Sequence, residues 1–453
     1  MNNNIKEGLE KKFKRSIVDL NLKKSDTIIV AFSGGADSTA LLHLLIKEGY
    51  KCIAAHCNFS LRGKSSDNDE LHVKEFCDKY KVKYITTKFD TKEFAKKEKL
   101  SIEMAARELR YRWFNKLLKE NNAHYIATGH HGDDSIETIL INLCRGTGIA
   151  GLTGIEKKQK NIIRPLLYAQ SSEIVDYCKI NNLLWRNDHT NNETEFVRNR
   201  IRHNIIPELK KINPSFFNTM QNSISYLNQV KEIFYSEVER VKNEIVAGAG
   251  DSLLIPIKLL CDHPQKESIL FEILKPYNFS GDKTKQIIKG LSGIPGRQYF
   301  SKSHRVVTDR YNLILTPGGE KDDNSYFIEG KDSYINTPVK LKLSCFKKES
   351  SFIYSKERLK AHFDSDLISF PLTIRKVKNG DKFQPLGMNQ FKKVSDFFID
   401  NKFSLVKKEQ TWLLLNGDDI IWIIGHRIDE RYKVKPSTKN ILEISVIDTN
   451  ANI

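Results

Sequence analysis

Residues Ser33-Gly34-Gly35-Ala36-Asp37-Ser38 bring two hydroxyls, two glycines and a carboxylate into one short stretch. Before them lies an apolar run, 27–32, that reads as a buried strand, and after them a run, 39–46, that reads as an amphipathic helix. A strand, a tight turn and a helix offer a helix N-terminus, with its free backbone N–H groups and positive dipole end, to an anion. Gly34 and Gly35 place no Cβ in the way, and Ser33 and Ser38 add hydroxyl donors. The chemistry this suits is the holding of a polyphosphate. Asp37 would repel a phosphate unless a cation intervenes, so its presence points to Mg2+ between the carboxylate and the polyphosphate. A βα turn merely capped by Asp37 is the competing reading. The stretch is neither a Walker A loop, lacking the Gly-Lys-Ser/Thr ending, nor a GxGxxG turn.

Further segments carry side chains of similar promise. His56, Asn58 and Arg62 follow a predicted strand; the first two are candidates for nucleotide contact and Arg62 for a phosphate or carboxylate, although a polar loop explains them as well. On a predicted helix at 102–119, Glu103, Arg107, Arg110 and Tyr111 fall on or near one face, where a solvated Glu103–Arg107 pair is the plainer alternative. Thr128-Gly129-His130-His131-Gly132-Asp133-Asp134 ends a strand and opens a helix, with Asp134 and Glu137 facing one way in its first turn. That segment suggests a metal or nucleotide site, against the alternative that the aspartates are caps. Arg145 leads a glycine-rich stretch that ends before Arg164-Pro165-Leu166-Leu167 and reads as a close-approach loop or a plain connector. Asp188-His189-Thr190-Asn191-Asn192 precedes Arg198, Arg200, Arg202 and His203, a patch suited to phosphate unless it is a solvated basic face.

The elements that position these residues alternate. Strands are predicted at 27–32, 51–57, 83–87 and 124–128, with helices at 39–46, 66–80, 102–119 and 134–143. Such alternation argues for an α/β domain with a parallel sheet covered on both faces, and ligands at the carboxyl ends of its strands. From 214 to 246 the pattern turns helical, and 254–278 is read as continuing it; short strands follow at 298–301, 304–308 and 313–315. A polar stretch at 318–325 reads as a linker. Beyond it strands at 339–343, 372–377 and 419–424 mix with a helix near 394–401. The division is 1–213, an α/β catalytic domain; 214–325, mostly helical; and 326–453, a small α+β domain.

The formal net charge of +17 over 453 residues favours a polyanionic partner such as nucleic acid, though Lys, Asn and Ile richness together also fits a compositional bias. Seven scattered cysteines with no C-x-x-C indicate neither a disulfide framework nor a zinc site. No apolar run approaches the about 18 residues of a membrane span, and the polar first 20 residues do not read as a signal peptide. A cytoplasmic protein is the expectation.

The Ser33–Ser38 stretch resembles the loop of the N-type ATP pyrophosphatases, and the segments from 27 to 207, taken in order, resemble the tRNA(Ile)-lysidine synthase family. The stretches Arg375-Lys376, Gly380-Asp381-Lys382-Phe383-Gln384-Pro385-Leu386-Gly387-Met388 and Lys392-Lys393-Val394-Ser395-Asp396-Phe397-Phe398 resemble the C-terminal domain of its long bacterial form. Phe59 departs from the family, where a histidine is frequent. The resemblance implies a PP-loop ATPase domain of the adenine nucleotide alpha hydrolase-like class. It implies a ligase that adenylates the wobble cytidine of an isoleucine tRNA with a CAU anticodon and joins free L-lysine to it. The implied ATP contacts are Ser33, Gly34, Gly35, Ala36, Asp37, Ser38, His56, Asn58 and Gly129, with Mg2+ on Asp37 and Asp134. Arg107 or Arg110 is implied for the lysine carboxylate, Glu137 for an amine and His131 as a second base. The tRNA contacts implied are Arg62, Arg145, Arg198, Arg200, Arg202, Lys392 and Lys393; some of the family dimerise, and nothing in the sequence decides between monomer and homodimer.

Overall fold

Ile28 and Val30 pack to one side of a strand and Ile29 to the other, the period-2 alternation of a strand buried on both faces. The computed structural model describes residues 2–61, 64–186, 196–249, 252–319, 322–350, 352, 353, 355 and 357–447. Arg62 and the segment 188–192 lie outside them. The chain forms two compact units, 1–234 and 235–453.

The first unit runs α1 (Asn2–Asp19), β1 (Thr27–Ala31), α2 (Ala36–Lys47), β2 (Lys51–Asn58), α3 (Lys64–Lys79), β3 (Lys83–Lys88), α4 (Thr91–Glu98), α5 (Ile102–Glu120), β4 (Tyr125–Ala127) and α6 (Gly132–Arg145). There follow α7 (Ile149–Leu152), β5 (Lys158–Gln159), β6 (Ile162–Ile163), α8 (Ser171–Ile180), α9 (Phe196–Arg200), α10 (Ile206–Ile212) and the long α11 (Phe216–Ile245), whose end belongs to the second unit. The sheet order is β3-β2-β1-β4-β6-β5, parallel except for β5. Leu41, Leu42, Leu44 and Leu45 of α2 join α1 and α8 over one face, while Phe114, Leu117 and Leu118 of α5 cover the other. The chain lays β2 and β3 on one side of β1, then crosses to lay β4 on the other. The carboxyl ends of β1 and β4 therefore flank the switch point at which such sheets open a crevice.

The second unit holds a five-stranded antiparallel sheet (Ala247–Ala249, Ser252–Pro256, Asn312–Pro317, His304–Thr308 and Gln298–Phe300 in spatial order). Helices Ile257–Asp262, Lys266–Leu274 and Gly281–Gly290 accompany it, and Leu270, Leu274 and Ile287 share a core with Ile255, Val306 and Leu313. Leu254, read from sequence as continuing a helix, lies in the strand Ser252–Pro256; the run Ser-Leu-Leu-Ile-Pro is too short to separate the two periods. Beyond residue 325, a five-stranded and a four-stranded antiparallel sheet pack face to face, with Leu341, Phe363 and Ile444 of one against Ile374, Leu414 and Trp422 of the other. Helices Val394–Asp400 and Leu405–Gln410 complete this part.

Candidate active site

The turn after β1 adopts the form its glycines permit. Gly34 has φ +85°, a left-handed conformation, and a Cβ there would come within 3.1 Å of Val73. Gly35 caps α2, so the amides of Ala36, Asp37 and Ser38 are the helix's unbonded first-turn donors. Ser33 and Ser38 bond each other at 3.1 Å, and the Ser38 hydroxyl donates to the Gly35 carbonyl at 3.0 Å. The loop is held from outside as well: the Arg186 amide donates to the Gly34 carbonyl (2.9 Å), while the Arg186 guanidinium pairs with Asp69 of α3.

Across the switch point, Gly129 touches this loop so closely that a Cβ would lie 3.1 Å from the Asp37 carbonyl carbon and from the Ser38 nitrogen. Only glycine lets the β4 end come this near. Two residues on, His131 is buried, with its Nε2 3.9 Å from Asp37 and 3.6 Å from Asp134. Its Nδ1 is shut off from solvent with no hydrogen-bond partner, though the Asp133 carboxylate lies 3.6 Å away. Asp133 instead accepts from the Ser171 amide at the start of α8 (2.8 Å), and Asp134 accepts from the His131 amide (2.9 Å). One aspartate of the pair is thus a cap, as the plainer reading had it, and the other also faces the loop.

The basic segment 198–202 turns inward. Arg198 donates through Nε to Glu137 (2.6 Å) and through Nη2 to Asp134 (2.9 Å); Arg202 donates through Nε and Nη2 to Glu137 (2.6 and 3.0 Å). A π-helical turn at Ile201–Ile205 adjoins them, and Ile201 and Ile206 pack with Ile136 and Phe217 beneath. Glu137 is fully buried, and its oxygens are taken up by the two guanidiniums. The two arginines that the sequence offered as phosphate contacts thus direct their guanidiniums to two buried carboxylates. Arg200 is exposed, as are Arg145 and Lys393, while Lys392 pairs with Asp400.

His56 and Asn58, read as nucleotide contacts, are buried and bonded within the protein. His56 Nδ1 donates to the Phe32 carbonyl (2.9 Å), and the Asn58 amide donates to Glu70 (3.1 Å). Both brace the strand ends that carry the loop. On α5, the Arg110 guanidinium lies over Phe59 and that of Arg107 over Tyr111 (5.2 and 5.1 Å from the ring centres).

Charge within the crevice is strained. Burial raises the Asp37 carboxyl above the ordinary carboxylate range; His131 opposes the rise and Asp134 adds to it. Burial pushes Asp134 the same way, yet His131, through its charge and its amide, together with Arg198, holds it below that range. Two carboxylates, one of which raises the cost of ionising the other, beside a row of anion-seeking amides suit a hard cation shared with a polyphosphate. One or two carboxylates plus substrate oxygens is the ordinary protein share of a Mg2+ shell. Among the described residues there is no group of three or more His, Cys, Asp or Glu side chains arranged to hold a metal ion.

Burial pushes the His130 imidazole down to about 4, and its Nδ1 pairs with the Thr128 hydroxyl at 2.8 Å. Its folded pKa lies below the unfolded value of about 6.5, so the unfolded chain binds the extra proton first. Stability present above pH 6.5 is therefore lost as pH falls toward 4. His130→Gln is expected to flatten that loss, as measured by urea midpoints across this range; an unchanged pH slope would contradict the burial of a neutral imidazole.

Three family models match the chain: a PP-loop domain over residues 5–209, a TilS substrate binding domain over 248–318 and a TilS substrate C-terminal domain over 372–446. A tRNA(Ile)-lysidine synthase of Bacteroides thetaiotaomicron is 41% identical over 93% of this chain and 96% of its own length. The chain belongs to the tRNA(Ile)-lysidine synthase family. A member from Parabacteroides distasonis is 39% identical over 94% of this chain and 97% of its own, and one from Clostridium tetani 35% over 94% and 95%. The PP-loop match takes in the sheet, the crevice and the arginines at 198 and 202. The other two matches fall on the antiparallel sheets of the second unit. Membership of the tRNA(Ile)-lysidine synthase family agrees with the α/β fold class expected from the alternation of strand and helix. Among the described residues no helix is long and apolar enough to cross a membrane.

Proposed function

We propose that this chain is the ATP-dependent ligase that joins the side-chain amine of L-lysine to C2 of the wobble cytidine in a cytoplasmic isoleucine tRNA with a CAU anticodon. ATP is consumed to AMP and pyrophosphate, and the codon read changes from AUG to AUA. The observation that carries the proposal is the contact at the switch point, where Gly129 lies against the Asp37 backbone and His131 stands between Asp37 and Asp134. In the first step O2 of the cytidine attacks the α-phosphate, and pyrophosphate leaves. In the second the lysine amine attacks C2, the C2–O2 bond breaks, AMP departs and the amine gives up a proton.

The loop amides and the Ser33 and Ser38 hydroxyls hold the polyphosphate. Asp37 and Asp134 would hold Mg2+, which when bound offsets the charge of the leaving pyrophosphate. Arg107 or Arg110 receives the lysine carboxylate. Glu137 receives an amine, in which role an ammonium shares the carboxylate with the Arg198 and Arg202 guanidiniums. A carboxylate beside the attacking amine takes its proton, with His131 as a second base. Residues 1–213 serve as the catalytic part, and 214–325 and 326–453 as tRNA-binding parts.

The test is incorporation of labelled lysine into the CAU isoleucine tRNA transcript with ATP and Mg2+, against a transcript with uridine at the wobble position. Label on the first alone is expected. No label with AMP still released would require another nucleophile. A separate test concerns the tail: Lys392→Glu with Lys393→Glu is expected to weaken tRNA binding about tenfold or more at moderate salt and to reduce its salt slope by about 1–2, with the KM for ATP unchanged. An unaltered salt slope would remove these lysines from the tRNA contact.

A further inference from the structure

Beyond residue 325, the four-stranded sheet runs Tyr334–Ile335, Leu341–Lys347, Asn440–Val446 and Lys360–Asp364 in spatial order. Leu341, Leu343, Phe363 and Ile444 turn into the core it shares with the neighbouring sheet. The residues alternating with them turn the other way. The register lays these in rows: Tyr334 stands opposite Lys342, Lys342 opposite Ser445 and Ser445 opposite Lys360. The next row holds Ser344, Glu443 and His362, and the one after it begins with Phe346. Tyr334 is 67% exposed and Phe346 37%, and Lys342 is exposed as well.

Large apolar groups gathered on an exposed face mark a contact for a partner. The free charge around these rings is positive. The Lys342 ammonium lies over the Tyr334 ring, 5.7 Å from its centre. Glu443, the one carboxylate of the first two rows, is taken up by His362 Nε2 (2.9 Å) and by Lys360 (3.9 Å). Among the described residues no carboxylate comes within ion-pair distance of Lys342. At the edge of the sheet, two residues before Lys360, Arg358 lies near Lys407; burial first, and then the Arg358 charge, favour loss of the Lys407 proton. Neither of these two cations is ion-paired among the described residues. The Lys407 ammonium in turn lies over the Phe403 ring, 4.9 Å from its centre.

We propose that this sheet face is a platform for single-stranded RNA, on which unpaired bases stack against Tyr334 and Phe346 while Lys342 and Arg358 meet the phosphates, and that its occupant is the unpaired 3′ tail of the tRNA. Rings interleaved with unpaired cations are the surface a single strand needs, because every base has a face to stack and every nucleotide a negative charge. Phe346 lies four residues along the strand from the row of Tyr334, about 13 Å, so the two rings receive separate bases. Duplex RNA keeps its base faces stacked inside and offers the rings nothing. A second copy of this chain, with its net charge of +17, would set lysine against lysine. Three of the four strands lie between the two TilS matches, at 248–318 and 372–446. The choice of the tail rests on the proposed ligation, which puts the anticodon loop at the crevice of the first unit and leaves the tail as the other free single strand.

The experiment measures binding of the full chain to two CAU isoleucine tRNA transcripts, one complete and one lacking the unpaired 3′ nucleotides. The parent is expected to bind the complete transcript about tenfold or more tighter, the scale of one or two stacked bases. Tyr334→Ala with Phe346→Ala is expected to lose that same factor on the complete transcript, to bind the shortened one as the parent does, and to keep the parental KM for ATP. Equal weakening with both transcripts would place the face on the duplex or in the support of the fold and overturn the proposal. A parent indifferent to the tail overturns it too, as does a double variant that binds both transcripts like the parent. A face that instead joins two copies would show as a concentration-dependent mass lost in the double variant, with tail dependence unaltered. Should the double variant fail to fold, Lys342→Glu, at an exposed position, is expected to weaken the complete transcript alone and to lower its salt slope by about 1, and an unchanged slope is contrary to the proposal. Failure of the ligase reading looks different: neither transcript takes up labelled lysine, whatever the tail does to binding.

Discussion

Asp37→Ala is expected to lower tRNA-dependent AMP release by at least about two to three orders of magnitude, the scale of losing a group that stabilises charge developing in the transition state. The affinity for tRNA should stay within about twofold, because the carboxylate faces the loop and the β4 end. Release of AMP and filter binding of tRNA on one preparation decide this, and a variant within tenfold of parental activity would end the cation-holding role. The sign of the stability effect is opposite. The Asp37 carboxyl is raised in the folded state, chiefly by burial, so stability falls as pH rises above the unfolded carboxylate value and the full cost is in place above the folded one. Asp37→Asn removes that cost, and the ligand-free variant should melt above the parent at neutral pH. Activity lost and stability gained by one substitution is the mark of a group held for function.

Glu137→Ala is expected to have the larger structural effect. The carboxylate is fully buried and receives Arg198 and Arg202, so its loss leaves two guanidiniums facing Asp134 alone. Removing one partner of a buried ion cluster costs about 3 kcal/mol or more, which in a unit of this size lowers the melting midpoint by about 6–12 °C. Combining it with Arg202→Ala should cost less than the two single losses together, because the second change removes a charge the first left stranded. Additive losses would mean that the pair is not coupled. Lysidine formation should be lost in both cases.

How much of this was legible in the sequence differs by element. The strand, loop and helix at 27–47 were readable because each signal is local: an apolar run, two glycines and a leucine-rich period. The segment at 128–138 was readable for the same reason. What was not legible is long-range. Nothing at Arg198 or Arg202 says that a fully buried Glu137 lies opposite, so the basic run read as a phosphate-contacting patch alone. His56 and Asn58 looked like ligand contacts because polar residues at a strand end usually face outward, yet Phe32 and Glu70 claim them. The Ser252–Pro256 strand escaped because five apolar-rich residues hold too little period to tell strand from helix. Gly132 is a similar case: a Cβ there would meet Phe217 and Gln221 at 2.6 Å, a packing constraint written by α11.

The ion cluster also orders events as the chain is made. Asp134 and Glu137 are synthesised more than 60 residues ahead of the arginines that neutralise them, Arg198 standing 61 positions after Glu137 and Arg202 65. A nascent chain that has already released every strand of the first sheet still holds two carboxylates with no cation to bury against. The crevice therefore closes late, and a fragment cut just after α8 carries the whole nucleotide loop yet not the counter-charges that let β4 and α6 settle beside it. A piece that holds both carboxylates with their counter-charges must reach through Arg202, and one that also seats Phe217 on Gly132 must reach into α11.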